Sequence, residues 1–235
     1  MLLPGNELLR DVYVHGLPSA PTVALTFDDG PNGRCTEQVL DALAETGVPA
    51  TFFVLGKNVR RDGNAPLLAR MVREGHTIGV HSDRHRVRPA FLNSLTVEDL
   101  RDARAAVLTA LANEGITDPP VVNLFRPPFG FLLGTSAHAA TETGFVVVEW
   151  TVSVGDWHRG LQAEDVTTAV MERVRGGDVI VLHDGDQTNQ RSLERCADRT
   201  NTAPTVRLLV PALAEKGLRV APLVEVLGLT PPPRR

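Results

Sequence analysis

The chain has 235 residues, of which 43% are hydrophobic and 22% charged, and its formal net charge is −4. This length and composition favour one large α/β domain with a sizeable core. The small negative charge argues against nucleic acid or an anionic membrane as the main partner. A membrane-spanning helix needs about 18 consecutive apolar residues, and no run in this sequence is that long, so we expect no transmembrane segment.

The chain divides into three regions by composition. We expect an irregular lead-in over 1–20, a single domain over 21–229 and a tail rich in proline and arginine over 230–235. The first residues lack the basic and apolar regions of a signal peptide, which indicates a cytoplasmic protein unless further residues precede them.

Apolar strands alternate with helical patterns along the whole domain. The predicted strands cover 22–25, 50–55, 77–80, 121–125, 145–151, 179–182 and 218–221. The predicted helices cover 36–46, 66–74, 96–114 with a capping box at Thr96 and Asp99, 136–143, 163–175 and 205–216. The last helix contains Pro211, so we expect it to be kinked or to begin late.

This alternation predicts parallel strands joined by crossover helices, arranged as an open doubly wound sheet or as a barrel. The sequence contains no Gly-x-Gly-x-x-Gly segment and no Walker loop. Their absence argues against the nucleotide-binding versions of the open sheet.

Polar residues stand at the ends of five predicted strands. Asp28, His81, Arg126 and His183 each follow an apolar strand directly, and Asp156 lies in the loop after the fifth strand. The carboxyl ends of parallel strands share one face, where ligands bind in α/β folds. We therefore expect these side chains to meet at that face.

Asp28 and Asp29 lie side by side at the end of the first strand. Successive side chains of an extended segment point to opposite sides, so the two carboxylates are suited to different tasks. One could bind a metal ion while the other transfers a proton. Taken alone, Asp-Asp-Gly-Pro is equally typical of a solvent-exposed turn.

His81 and His85 are four residues apart and could share a cation if their segment is helical. This spacing alone is weak evidence for a metal site. Together with Asp28 or Asp29, the pair forms a set of two histidines and one carboxylate. Three protein ligands leave a position open for water, as catalytic zinc requires.

Arg126 and His183 each allow two interpretations. Arg126 precedes two prolines, and it is either a solvated residue of a rigid loop or the partner that orients a nearby aspartate. His183 is either a core histidine or a functional residue at the mouth of a buried strand. Asp156 could orient such a histidine and keep it protonated.

Five motifs carry a family resemblance. They are Thr-Phe-Asp-Asp-Gly-Pro, His-Ser-x-x-His, Arg-Pro-Pro-Phe-Gly, Asp-Trp and Leu-His-Asp, and they span residues 26 to 184 in this order. The set resembles the polysaccharide deacetylases, also called the NodB-homology domain or carbohydrate esterase family four. The resemblance implies a distorted, TIM-barrel-like (β/α) barrel of seven or eight parallel strands with the active site at their carboxyl ends. It also implies a single divalent ion, zinc first, with Co²⁺, Ni²⁺ or Mn²⁺ as alternatives.

The resemblance also implies a role for each site residue. Asp28 would be the general base, held by Arg126, and the metal ligands would be Asp29, His81 and His85. The remaining roles are the oxyanion donor (the backbone N–H of Phe129), the general acid (His183), its partner (Asp156) and the acetyl pocket (Leu182 and Trp157).

Two residues depart from the family pattern. Phe129 stands where tyrosine is frequent, which matters little if only its backbone N–H acts. Ser153 stands where many members have the first aspartate of Asp-x-x-Asp-Trp, which leaves the substrate preference open.

The resemblance predicts a metal-dependent hydrolase that releases acetate from an N-acetylglucosamine oligomer or polymer. The alternatives are the same machinery acting on O-acetyl esters of xylan, on N-formyl sugars or on another small amide. A non-catalytic glycan-binding or metal-binding pseudoenzyme is less favoured, because the base, ligands and acid are intact.

We expect a monomer, and the few aromatic residues favour a short substrate. The family usually acts outside the cytoplasm, in contrast to the missing signal peptide.

The two cysteines, Cys35 and Cys196, lie beyond the first and sixth strands. In a barrel their loops rise from the same rim, so the pair could come within disulfide reach. Since no signal peptide is visible, the sequence slightly favours two separate cysteines.

Overall fold

The structure, a computed structural model, describes residues 12–85, 96–117, 123–132, 134–158, 160–185, 196 and 199–229. The strands are β1 (Val12–Tyr13), β2 (Thr22–Asp28), β3 (Thr51–Val54), β4 (Thr77–Val80), β5 (Leu124–Phe125), β6 (Val146–Val148), β7 (Val179–His183) and β8 (Arg219–Val220). The helices are α1 (Gly33–Thr46), α2 (Gly56–Val59), α3 (Ala65–Arg73), α4 (Val97–Asn113), α5 (Gly134–Thr143), α6 (Ala163–Arg173), α7 (Thr202–Glu215) and α8 (Leu223–Val226).

Seven parallel strands form a curled sheet in the order β1-β6-β5-β4-β3-β2-β7, and β8 pairs with β2. A parallel bridge between Val152 and Ile180 links the segment after β6 to β7. The sheet therefore curls towards closure as a distorted barrel, which confirms the fold class that the resemblance implied.

Both faces of the sheet are buried, as is typical of parallel strands. In β2, Val23, Leu25 and Phe27 belong to the core that the sheet shares with the helices. Ala24, between them, belongs to a second cluster with Phe53 of β3. Because side chains alternate along a strand, this second cluster fills the inside of the barrel.

The predicted helices correspond closely to the structure. One half of the predicted capping box is present at the start of α4, where the Thr96 hydroxyl accepts a hydrogen bond from the Asp99 N–H; the Asp99 carboxylate accepts from the Asp83 N–H instead of the Thr96 N–H. The last helix begins at Thr202, earlier than predicted, and contains Pro211 in its interior. The predicted strand over 145–151 is shorter, and residues 121–122 of another predicted strand lie outside the described residues.

Short elements escaped the sequence analysis. β1 lies within the lead-in that we expected to be irregular, and α2 and α8 each have only four residues. Elements this short contain too few residues to show a period of 2 or 3.6. Residues 1–11 and 230–235 lie outside the described residues.

The strand ends bring the predicted polar residues to one rim of the barrel. Asp28 and His183 end β2 and β7 and are register partners. His81 follows β4 directly, and Arg126 follows β5.

None of the described helices is both long and apolar enough to cross a bilayer.

Cys35 and Cys196 form a disulfide, although they are 161 residues apart in sequence. The slight preference for two separate cysteines was therefore wrong. Cys35 lies in the first turn of α1 rather than in a loop. The neighbouring positions of β2 and β7 in the sheet bring the segments that follow them together.

Replacing both cysteines, Cys35→Ser with Cys196→Ser, should lower the free energy of unfolding by about 2–5 kcal/mol, because the cross-link closes a long loop in the unfolded chain. Urea denaturation of both proteins measures the difference. The variant should not respond to reductant, whereas the wild type should be destabilised by it. Two free thiols in denatured, unreduced wild-type protein would contradict the pairing.

Candidate active site

Arg126 lies at the centre of the site and is fully buried. Its Nη1 donates hydrogen bonds to Asp28 Oδ1 at 2.8 Å and to Thr26 Oγ1 at 2.7 Å. Its Nε and Nη2 donate to the carbonyls of Val148 and Glu149 at 3.2 and 3.1 Å. The guanidinium is thus not solvated, and it fixes one oxygen of Asp28 as the second interpretation of the sequence required.

Asp28 and Asp29 face the same side of the molecule. His81 Nε2 lies 3.8 Å from Asp28 Oδ2 and 3.8 Å from Asp29 Oδ1. The expectation that the two side chains point to opposite sides was wrong, because the backbone leaves the extended conformation at Asp29, where φ is 75°. Both carboxylates therefore reach the same histidine.

His81 and His85 are brought together by a loop, not by a helix. Ser82 and His85 have left-handed backbone, with φ of 79° and 46°. The Nδ1–H of His81 donates to the Arg126 carbonyl at 2.7 Å, so the lone pair of its Nε2 faces the carboxylates. His85 Nε2 lies 3.5 Å from Asp29 Oδ1.

Asp29, His81 and His85 form a buried group that could hold a metal ion, with ligand atoms within 4.8 Å of one another. Two ligands at about 2.1 Å from a tetrahedral ion are about 3.4 Å apart, close to the separations found here. Asp29 Oδ1 is buried and has no hydrogen-bond partner among the described residues. An unpartnered buried oxygen facing two imidazole nitrogens fits a cation site.

The protonation states of the group also fit a metal. Burial lowers the pKa of both His81 and His85 to about 3, so both imidazoles are neutral at physiological pH. Burial raises the pKa of Asp29 to about 7. A cation favours the carboxylate form of such a group and needs neutral histidine ligands.

The loop that carries the two histidines is anchored through Asp83, which is 1% exposed. Its carboxylate pairs with Arg60 and with Arg84, the latter at 3.2 Å. Its backbone N–H donates to Asp99 Oδ2 at 3.0 Å, and its carbonyl accepts from the Lys57 N–H at 2.8 Å. These contacts fix the centre of the loop, between the left-handed residues Ser82 and His85.

His183 ends β7, next to Asp28 of β2, and is paired with Asp156. Its Nδ1 is 2.9 Å from Asp156 Oδ1, and its backbone N–H donates to Asp156 Oδ2 at 2.8 Å. Burial alone would lower the pKa of His183, but the charge and hydrogen bond of Asp156, helped by Asp29 and Asp28, raise it to about 9. The imidazole is therefore cationic at neutral pH.

Phe129 lies in a 3-10 turn, Pro128–Gly130, directly after Arg126 and Pro127. Its backbone is left-handed, with φ of 61°, and its N–H makes no hydrogen bond within the described part of the chain. Gly130 is required beside it, because its φ is 68° and a Cβ would lie 2.8 Å from the Trp150 ring. The turn thus presents an unpaired amide next to the metal group, with the Phe129 ring 4.5 Å from that of His85.

The two residues assigned to the acetyl pocket, Trp157 and Leu182, are neighbours of His183. Trp157 packs edge-on against the His183 ring with centroids 4.8 Å apart. Leu182 is buried and precedes His183 in β7. The position of Trp157 agrees with the predicted pocket, whereas Leu182 belongs to the core that the sheet shares with the helices, on the other face of β7 from His183. The roles of both residues remain predictions.

Asp184 is a site residue to which the sequence analysis gave no role, although its motif included it. It is fully buried, its Oδ2 accepts from the Thr36 hydroxyl at 2.5 Å, and burial raises its pKa to about 7. A Cβ on Gly30 would lie 2.2 Å from Asp184 Oδ2. The carboxyl therefore packs directly against the turn that carries Asp29.

Comparisons with known proteins agree with this geometry. Residues 15–148 match the family model described as polysaccharide deacetylase. A chitooligosaccharide deacetylase of Sinorhizobium fredii is 37% identical over 223 residues, covering 92% of this chain and 96% of that protein. The crystal structure of a peptidoglycan N-acetylglucosamine deacetylase superposes with a TM-score of 0.76 at 28% identity, covering 95% of each chain. A family 4 acetyl xylan esterase from Clostridium thermocellum, solved with a cobalt ion, gives 0.70 at 28% identity over 88% of this chain and 91% of that one.

Asp83→Asn should weaken metal binding by about 10- to 100-fold, the usual cost of losing a group that supports the ligands. The substitution keeps the shape but removes the charge that pairs with both arginines. Competition with a chromogenic chelator measures the affinity for zinc. Asp41→Asn is a matched control, since Asp41 also pairs with an arginine, Arg70, at 2.8 Å. Equal zinc affinity in both variants would show that the anchor is not needed.

Proposed function

The chain belongs to the polysaccharide deacetylase family, and on this basis we propose that it removes the acetyl group from N-acetylglucosamine units of an oligosaccharide or polysaccharide. The observation that carries the proposal is the buried Asp29–His81–His85 group, together with the arginine-held Asp28 and the cationic His183 at neighbouring strand ends. The products are acetate and a free amino sugar.

Asp29, His81 and His85 would hold one divalent cation. Zinc is the first candidate, because two imidazoles and a carboxylate are a common catalytic zinc set, and Co²⁺, Ni²⁺ and Mn²⁺ are alternatives. Such a cation acts as a Lewis acid towards the acyl carbonyl and acidifies water. Three protein ligands would leave such an ion one position for water or substrate.

Asp28 acts as the general base. Arg126 occupies its Oδ1, and the other oxygen, Oδ2, faces His81 Nε2 at 3.8 Å. This oxygen takes a proton from the water that attacks the acetamide carbon. The Phe129 N–H donates to the carbonyl oxygen as negative charge develops on it, a contribution that typically amounts to about 3–4 kcal/mol.

His183 acts as the general acid. Its Nδ1–H is engaged by Asp156, which leaves Nε2–H to protonate the sugar nitrogen as the carbon–nitrogen bond breaks. The water oxygen remains on the acyl carbon as acetate. Asp156 thus fixes both the orientation and the charge of the acid.

Acetate release from an N-acetylglucosamine oligomer, with and without a chelator, tests the proposal directly. Asp28→Asn should lower kcat by about 10²- to 10⁴-fold and keep the metal, since only the base is lost. Asp29→Asn should lose both the metal and the activity. Metal analysis that gave the reverse pattern would exchange the roles of the two aspartates.

The alkaline side of the pH profile of kcat/KM should report His183, which acts only while protonated. Activity falls as the pH rises through its pKa, at or below about 9 because a bound cation opposes the effect of Asp156. Asp156→Asn removes the attraction that raises this pKa, so the alkaline limb should move to lower pH. Asp165→Asn, at the exposed start of α6, is the control and should leave the limb in place. An unmoved limb in Asp156→Asn would count against the pairing of acid and carboxylate.

The same residues could cleave O-acetyl esters, and the similarity to an acetyl xylan esterase makes this the second candidate. An alkoxide leaving group needs less help from an acid than an amine does. His183→Ala should therefore slow an amide substrate more than an activated ester. Comparing acetate release from acetylated xylan and from an N-acetylglucosamine oligomer separates the two candidates.

A further inference from the structure

Exposed aromatic rings are concentrated at the rim of the site. Among the exposed large hydrophobic residues of the described chain, the three aromatic ones are Phe129, Phe131 and Trp157, at 39%, 62% and 43% exposure. Phe129 and Trp157 pack against His85 and His183, respectively. Exposed apolar groups that cluster beside a polar site are typical of a surface that binds a ligand.

Phe131 is the outermost member of a row of rings. The row starts at His85 in the metal group, continues to the Phe129 ring at 4.5 Å and reaches the Phe131 ring 6.2 Å further on. Phe129 and Trp157 each touch a residue of the reaction site. Phe131 lies one ring further out and is the most exposed aromatic residue of the three.

The backbone holds Phe131 in place. It follows the Pro128–Gly130 turn, and its N–H donates to the Pro128 carbonyl at 3.2 Å. Two prolines and a hydrogen-bonded turn limit the conformations of this segment. A residue whose backbone is already fixed loses less entropy on binding, which helps an exposed aromatic side chain to add affinity.

We propose that Phe131 stacks against the sugar ring next to the one that is deacetylated and adds affinity for that second ring. This inference rests on the proposed function. A pyranose ring presents C–H groups on its face, and the electron-rich face of an aromatic ring attracts them. Phe131 also supplies stacking surface that the low overall count of aromatic residues did not predict.

Phe131→Ala should lower kcat/KM on an N-acetylglucosamine tetramer by roughly tenfold, mostly through KM, the size of effect expected for one aromatic contact. Hydrolysis of a small activated acetyl ester, which fills only the reaction site, should be unchanged. Phe131→Tyr should retain the wild-type rate on the tetramer, since the ring remains. Leu17→Ala is the control for loss of an exposed apolar side chain, because Leu17 lies beside Gly177 at the opposite end of β7.

The outcomes separate this inference from the proposed function. A wild-type protein that releases no acetate from any acetylated sugar would overturn the proposed function. If the wild type is active and Phe131→Ala is unchanged on the tetramer, only the stacking contact is wrong. Equal losses on the tetramer and on the ester would also overturn it, because they would indicate damage to the reaction site. Unchanged ester hydrolysis shows at the same time that the variant is folded.

Discussion

The site depends on the burial of one charge, the guanidinium of Arg126. A fully buried cation is costly unless its donors are satisfied and an opposite charge is close. Here it pairs with Asp28, and its Cζ lies 4.1 Å from the centroid of the Phe53 ring inside the barrel. The carbonyl of the same residue accepts the Nδ1–H of His81. One residue thus fixes the proposed base and one proposed metal ligand relative to each other.

The remaining parts of the site are held in backbone conformations that need support. The four non-glycine residues with left-handed backbone in the described chain are Asp29, Ser82, His85 and Phe129, and all belong to the site loops. Each such residue costs about 1–3 kcal/mol, so its surroundings must determine it. The Asp83 anchor holds the histidine loop, and Asp184 packs against the turn at Asp29. Rigid loops on a parallel sheet place the ligands without a helix between the histidines.

The sequence predicted the parts of the structure that follow from local pattern. Parallel strands place their carboxyl ends together, so the sequence alone assigns Asp28, His81, Arg126 and His183 to one face. The turn at Asp29 and the loop at His85 could not be predicted, because partners distant in sequence fix them. The disulfide of Cys35 depends on which strands are neighbours, which alternation alone does not specify. The motifs therefore gave the chemistry of the site, and long-range packing gave its geometry.

The most direct test of this account is a crystal structure of the protein loaded with zinc, with anomalous diffraction at the zinc edge. The account predicts one anomalous peak bound by Asp29 and by Nε2 of His81 and of His85, with Asp28 still paired to Arg126 and not coordinated. A peak that includes Asp28 among its ligands, or one that lies away from the two histidines, would contradict it.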